Sequence, residues 1–271
     1  MRALRAGFRH WPYMHGRGWL LRLARLLYGR RPMRFDIGGG TFIDGALDDW
    51  IVIWTFMRQH ERDKPFQRSF DLLGPGSIAI DVGANLGIWS LLAARRGASV
   101  HAFEPVPGIS ERFQRHLDLN GVGSVTVNRL ALGAEAGSLP FFAAPTINTG
   151  ASSLARPLTP HVEIRVPVVT LDSYIEREGI ERIDLMKVDV EGAEILVFRG
   201  ARRLLSSDRA PIIFFETGEP LCGRFGVTTR DVKQLLAGYG YGIYRWRKSL
   251  FQPVTLEERH EREEDLFALK S

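Results

Sequence analysis

Ile80-Asp81-Val82-Gly83-Ala84-Asn85-Leu86-Gly87 is the stretch that decides the fold of this 271-residue chain. It ends the apolar run Ser77 to Val82, which has the length and composition of a buried strand, and it turns on glycines into Leu86 to Arg96, where Leu86, Trp89, Leu92 and Ala93 keep helical spacing. Working outward, Ala98 to Phe103 reads as a second strand and Pro107 to Asn120 as a helix stopped by Gly121. Val125 to Leu130 reads as a third strand. Leu139 to Phe142 and Val162 to Val169 read as added antiparallel strands around a polar loop, residues 144–160, and Leu171 to Glu178 as a short helix. Ile183 to Val188 is a fourth core strand with a helix over Glu191 to Leu205, and Pro211 to Phe215 a fifth. A helix from Thr228 to Leu236 and closing strands at Tyr241 to Trp246 and Asp265 to Leu269 complete the pattern; Glu257 to Asp265 reads as a solvated helix face. Strands separated by helices imply a mostly parallel sheet covered on both faces. Ligands of such sheets lie beyond the carboxyl ends of the strands, which selects Asp81 to Gly87, Glu104-Pro105, Ala131-Leu132, Asp189 to Glu191 and Glu216.

The loop chemistry narrows the ligand. Gly83 and Gly87 let the backbone turn sharply, and Glu104 ends the next strand, where a carboxylate can take both hydroxyls of a ribose. A dinucleotide site wants G-x-G-x-x-G/A, but Asn85 stands at the second glycine position. The phosphate loop G-x-x-x-x-G-K-S/T is absent as well. An acid at Asp81 and an amide at Asn85 disfavour a diphosphate and suit the amino group and sulfonium of S-adenosylmethionine.

The segments Ile80 to Gly87, Ala102-Phe103-Glu104-Pro105-Val106-Pro107, Thr170-Leu171-Asp172-Ser173-Tyr174 and Met186-Lys187-Val188-Asp189-Val190-Glu191-Gly192-Ala193-Glu194 together resemble the FkbM family of S-adenosylmethionine-dependent methyltransferases over about residues 60–220. The resemblance implies a class I methyltransferase fold: a Rossmann-like three-layer sandwich with a mostly parallel sheet and an antiparallel closing strand. It also implies methyl transfer to a hydroxyl oxygen of a sugar, glycolipid or polyketide. By it, Asp81, Gly83, Asn85 and Glu104 bind the cofactor, with Ala84, Gly87 and Pro105 in the same turns and the backbone of Ala131 or Leu132 flanking the adenine. Ala134 stands where the family commonly has an aspartate, so no acidic side chain contacts the ring from there. Glu61 falls where many members carry an acid before the first strand.

An alcohol acceptor loses a proton during transfer, and a placed base helps by about 10²–10⁴-fold. Asp189 is the first candidate base, with Glu191 and Glu216 sharing the work. Two other readings stay open: the three carboxylates hold a divalent cation that orients a diol, or Glu191 and Glu194 cap the helix behind them. Lys187, inside the strand, is expected to pair with a neighbouring carboxylate. The seven histidines show no close ligand spacing and read as structural or exposed.

Composition bounds the rest. The hydrophobic fraction of 45% and charged fraction of 25% are those of a folded chain. No apolar run is long enough to span a bilayer, and the single Cys222 excludes an intramolecular disulfide. Net charge is +5, yet residues 1–34 carry nine arginines and no acid, which leaves residues 35–271 at about −4. That division predicts a basic extension, 1–34, ahead of one methyltransferase domain, 35–271. The acidic body argues against a nucleic-acid partner, and no N-P-P-Y/F-like turn follows the fourth strand. Trp19 to Tyr28 reads as a helix docked with a solvated arginine face, as an interfacial helix on anionic lipid, or as part of a transit peptide. The arginines inside it argue against a signal peptide. The expectation is a cytoplasmic O-methyltransferase, membrane-peripheral if the arm binds lipid, acting on a small-molecule, glycan or lipid-linked acceptor. An N- or RNA methyltransferase and a non-catalytic nucleotide-binding scaffold are the alternatives.

Overall fold

The computed structural model of the chain describes residue 26 and residues 31–57, 63–143, 153–155 and 161–270. The readings of the arginine-rich arm, of most of the 144–160 loop, and of Glu61, His10, His15 and His60 lie outside the described residues.

In chain order the strands are β1 (Met33–Gly38), β2 (Thr41–Gly45), β3 (Ile78–Val82), β4 (Ser99–Phe103), β5 (Val125–Asn128), β6 (Ala131–Leu132), β7 (Gly137–Ala143), β8 (Val162–Val169), β9 (Leu185–Val188), β10 (Ile212–Thr217), β11 (Tyr241–Arg247), β12 (Leu250–Pro253) and β13 (Glu264–Lys270). The helices are α1 (Trp50–Phe56), α2 (Lys64–Asp71), α3 (Ile88–Arg95), α4 (Pro107–Asn120), α5 (Leu171–Glu178), α6 (Glu194–Gly200), α7 (Arg202–Leu205), α8 (Glu219–Cys222) and α9 (Thr229–Gly238). The central sheet has the order β12-β11-β13-β10-β9-β3-β4-β5. From β10 through β9, β3 and β4 to β5 its pairs are parallel, and β13 enters antiparallel between β10 and β11. The order turns back between β3 and β9, which is where an open parallel sheet leaves a crevice. This is the class I methyltransferase arrangement. A separate three-stranded sheet, β6-β8-β7, holds the added antiparallel pair.

Alternation along the strands feeds two cores. Ala79 and Leu185 face a cluster with Phe56, Trp89 and Phe113, while Ile80, Met186 and Phe215 face a second with Tyr174, Phe198 and Leu236. Two buried faces make the three layers. Capping agrees with the sequence: Thr228 and Asp231 close a reciprocal capping box at α9, and Gly121 and Gly179 end α4 and α5 in the left-handed region.

Four features depart from the sequence reading. The β1–β2 hairpin, α1, α2 and β12 had no reading at all. The helix expected over Glu191 to Leu205 starts at Glu194 and breaks at Ala201 into α6 and α7. The stretch Glu257 to Asp265 is no helix: it runs irregularly until β13 begins at Glu264, and His260 is buried within it. Met33 and Arg34, assigned to the extension, open β1, where Arg34 pairs with Asp44 at 2.9 Å.

Helix α4 ties the unforeseen N-terminal elements down. Asn120 accepts from the Phe42 amide at 2.7 Å and donates to the Phe42 carbonyl at 2.6 Å. The buried His116 ring reaches the Leu86 carbonyl at 2.9 Å and Asp44 in β2. Arg112 pairs at 3.0 Å with Asp49, the N-cap of α1. Asn120→Ala is therefore expected to destabilise the protein by about 1–2 kcal/mol in urea unfolding. In hydrogen exchange it should speed the Phe42 amide while leaving β3 unchanged.

Candidate active site

Strand register builds the site in two rows on the α1–α4 face of the sheet. Asp81, Lys187, Phe214 and Phe267 stand side by side across β3, β9, β10 and β13. Two residues nearer the carboxyl edge, on the same face, come Gly83, Asp189 and Glu216, each two residues later in the chain, and Asp265, two residues earlier on the antiparallel β13. Glu216 and Asp265 are directly opposed across β10 and β13.

The first row is a buried electrostatic floor. Asp81 has no solvent exposure, and its carboxylate sits 3.1 Å from the Lys187 ammonium and accepts from Ser90 at 2.7 Å. Lys187 also donates to the Gly83 carbonyl at 3.0 Å and lies 3.4 Å from Asp189. Burial alone would push the ammonium toward neutrality; Asp81 and Asp189 reverse this and hold it above the ordinary lysine range. The pairing expected for Lys187 is present.

Above the floor the β3–α3 loop turns through three left-handed residues, Gly83, Asn85 and Gly87. A Cβ on Gly83 would fall 1.8 Å from the Asp189 carbonyl, and one on Gly87 1.9 Å from the Phe113 ring. Glycine is thus required at both positions for the loop to pack. The loop opens on a cleft of about 590 Å³. Gly83, Ala84, Asn85, Glu104, Pro105, Ala131 and Leu132 line it, as do Asp189, Glu191 and Glu216. Asp81 and Gly87 do not: the first is fully buried under the Lys187 ammonium, which itself lines the cleft, and the second packs against Phe113.

Glu104 is buried at the end of β4, accepting from the Asn85 amide at 3.0 Å and the Val106 amide at 2.9 Å. Each oxygen keeps a lone pair for one further donor. Burial pushes this carboxyl up to about 7, against the pull of those two amides.

The far end of the cleft is acidic. Burial, with Asp189 beside it, pushes Glu191 up to about 8. Burial and then Asp189 and Asp265 drive Glu216 upward, and burial with Asp63 and Asp189 drives Asp265 well above the carboxylate range. Asp189 differs: 45% of its side chain is exposed and it faces the Lys187 ammonium. The helix cap expected of Glu191 and Glu194 is not formed: the N-cap of α6 is Ala193, with no side-chain cap bond, and Glu194 holds the turn ahead of it. Its Oε1 accepts from the Val190 and Gly192 amides at 3.1 and 3.2 Å, and the residue is fully buried outside the cleft. Glu191 lines the cleft 3.5 Å from Arg224.

Sequence reasoning missed Asp63, Glu263 and Asp265 among the acids and the wall of Trp50, Trp54, Phe66 and Trp89. Trp50 and Trp54 are four apart on α1, a spacing that could have been read as one helical face. Nothing in the sequence brings Asp63 to Asp265. His260, read with the other histidines as structural or exposed, is buried and bonded to Glu264 at 2.9 Å. Among the described residues, the group of acids and histidines whose ligand atoms converge, within 4.8 Å, is Glu258, His260 and Glu264. Arg245 pairs with both glutamates and Lys233 lies 3.4 Å from His260, so this cluster is already neutralised by cations.

The Methyltransferase FkbM domain family matches residues 81–243. The chain belongs to that family. It is 31% identical over 144 residues to Methyltransferase 1 of Beauveria bassiana, a match covering 46% of this chain and 58% of that protein. It is 30% identical over 226 residues to 31-O-demethyl-FK506 methyltransferase FkbM of Streptomyces tacrolimicus, covering 72% of this chain and 84% of that one. It is 27% identical over 157 residues to Hexuronic acid methyltransferase AglP of Haloferax volcanii, covering 58% and 60%. Within this chain, Gly83, Glu104, Asp189 and Glu216 fall inside the matched region, whereas Trp50, Trp54, Asp63 and Asp265 lie outside it. No helix among the described residues is long and apolar enough to cross a membrane.

The cleft fits the family's cofactor by its donor set. Among the described residues the lining cations are Lys187 and Arg224, each beside a carboxylate, so no free cation awaits a diphosphate. A buried carboxylate with open lone pairs suits a ribose, and the acidic end suits a positive sulfur. Lys187→Met should cost about 3–5 kcal/mol in chemical denaturation, because it strands a buried carboxylate. Adding Asp81→Asn to it should recover most of that loss.

Proposed function

We propose that this FkbM methyltransferase transfers a methyl group from S-adenosylmethionine to a hydroxyl oxygen of a saccharide, free or lipid-linked. The observation that carries the reading is the cleft's division into a nucleoside end, at Glu104, Asn85 and Leu132, and an end lined by carboxyls and tryptophan. Sugar rings offer an apolar C–H face and a rim of hydroxyl donors. Trp50, with 52% of its surface exposed, and Trp54 offer aromatic surface, and Asp189, Glu216 and Asp265 offer acceptors. The names of two relatives support an oxygen acceptor and a sugar: one acts on 31-O-demethyl-FK506, the other on a hexuronic acid.

The cofactor supplies, when bound, a methyl group on a positively charged sulfur, electrophilic without further activation. The chain's residues do the remaining work. Glu104 accepts the two ribose hydroxyls. The edges of Ala131 and Leu132 flank the base, and Asn85 holds the turn beside it. The tryptophans and Phe66 exclude water from the acceptor end. With an acceptor hydroxyl in the cleft, Asp189 would take its proton during the transfer. Its partner Lys187 holds it in place, and it stands open to the cleft. Glu216 and Asp265, pushed toward their protonated forms, hold acceptor hydroxyls and do not compete for that proton. Glu191, with Arg224 beside it, borders the same end. A divalent cation is not part of this reading: among the described residues the acids and histidines whose ligand atoms converge are Glu258, His260 and Glu264, not Asp189, Glu191 and Glu216.

Asp189→Asn is expected to lower turnover by about 10²–10⁴-fold with cofactor affinity unchanged in calorimetry. Turnover equal to wild type would remove Asp189 as the base. Because burial raises Glu104 to about 7 and the ribose hydroxyls favour its ionised form, binding releases a proton. Affinity for S-adenosylmethionine should therefore rise from pH 6 to pH 8 and then level off. Glu104→Gln should bind weakly with no such rise.

A further inference from the structure

A second cavity, of about 760 Å³, adjoins the first, and both are lined by Asp63 and Asp265. Its charge is the reverse of the cleft's. Lys64, Arg245, Arg247 and Lys248 line it, with Trp246 and Ser249 between them. The opposing acids are Glu264, Asp63 and Asp265. Glu264 is consumed by Arg245, which meets it at 2.8 and 3.0 Å, and by Arg247 at 3.6 Å. Burial drives Asp63 and Asp265 toward their neutral forms. Lys64 and Lys248 have no acidic partner among the described residues. The balance of the cavity is positive, beside a cleft whose acceptor end is acidic.

The backbone adds a second sign. Arg247 pairs with Leu250, so Lys248 and Ser249 form a two-residue hairpin turn between β11 and β12. Both are left-handed, with φ of 50° and 60°. Such turns favour asparagine and glycine, and a lysine followed by a serine there is strained. Strain of this kind collects where a side chain must be presented to a ligand. Here the turn carries Lys248 and the Ser249 hydroxyl to the cavity rim.

We infer that this basic cavity binds an anionic oxygen group, a phosphoryl or carboxylate, carried by the acceptor whose hydroxyl lies in the neighbouring cleft. The acceptor is then an anionic saccharide, with its hydroxyl rim against Glu216 and Asp265 and its charge on Arg247 and Lys248. The anion site stands on the cavity alone; only its assignment to the acceptor rests on the methyl-transfer reading.

Calorimetric titration of the full chain with inorganic pyrophosphate and, separately, with glucuronate tests the site. Saturable heat is expected with at least one of them, weakened by raising salt and by about tenfold or more in Arg247→Ala/Lys248→Ala. The tighter of the two probes tells whether the source is a phosphoryl or a carboxylate group. Lys248→Gly should also weaken binding while raising the melting temperature, since glycine relaxes the turn. No saturable heat with either probe, or equal affinity in the double variant, would overturn the site. S-adenosylmethionine binding, followed in the same samples, should be untouched by these substitutions. Its absence in the wild-type protein would remove the methyl-transfer reading and leave the anion heats standing.

Discussion

The ion pair between Asp81 and Lys187 is the interaction on which the rest of the site depends. It joins β3 to β9, the two strands between which the sheet order reverses, with the aspartate fully buried and the lysine nearly so at the cleft floor. Attraction between two buried charges seldom repays their desolvation by itself, so the pair has to be completed by hydrogen bonds. Ser90 donates to one aspartate oxygen while the other faces the Lys187 charge, and the Gly83 carbonyl and Asp189 complete the lysine. The same contacts that satisfy the buried charges therefore fix the glycine turn and the proposed base. Structural electrostatics and site geometry are one network here.

The carboxyl edge of the sheet turns that network into two chemically different ends. Toward β4, a single buried glutamate faces a nucleoside-sized space. Toward β10 and β13, like charges stand directly opposite one another at Glu216 and Asp265, an arrangement that sheets ordinarily avoid. Its persistence is explained if one of the two keeps a proton and serves as a donor. Asp63, brought in by the N-terminus of α2, crowds the same point and separates the acidic cleft from the basic cavity beyond.

Legibility followed chain distance. The turn at Gly83, the acid at Glu104 and the Lys187 to Glu194 segment were readable because each is a short local pattern with its own chemistry. Their strand and helix context was readable because apolar periodicity is local too. Asp81 was legible as an important acid but not as a buried one, since its partner Lys187 lies 106 positions away in the chain and only the β3–β9 pairing shows it. The aromatic wall was not legible: Trp50 to Met57 reads as a dense apolar run, and only docking through Asn120, His116 and Arg112 turns two of its residues to the cleft. Asp265 and His260 were hidden by composition, because a stretch dense in glutamate and arginine looks like a solvated helix until Arg245 and Lys233 are found neutralising it. The residues read from the sequence, Asp189 and Glu216 included, lie inside the family match, whereas the unread Trp50, Trp54, Asp63 and Asp265 lie outside it.

The central claim is that a sulfonium nucleoside lies along this cleft with its reactive carbon turned toward Asp189. A crystal structure with S-adenosylhomocysteine measures that directly. The account predicts both ribose hydroxyls on Glu104 and the sulfur facing the Asp189 and Glu216 end. A nucleoside bound with Glu104 uncontacted, or with its sulfur turned away from those carboxyls, would contradict it.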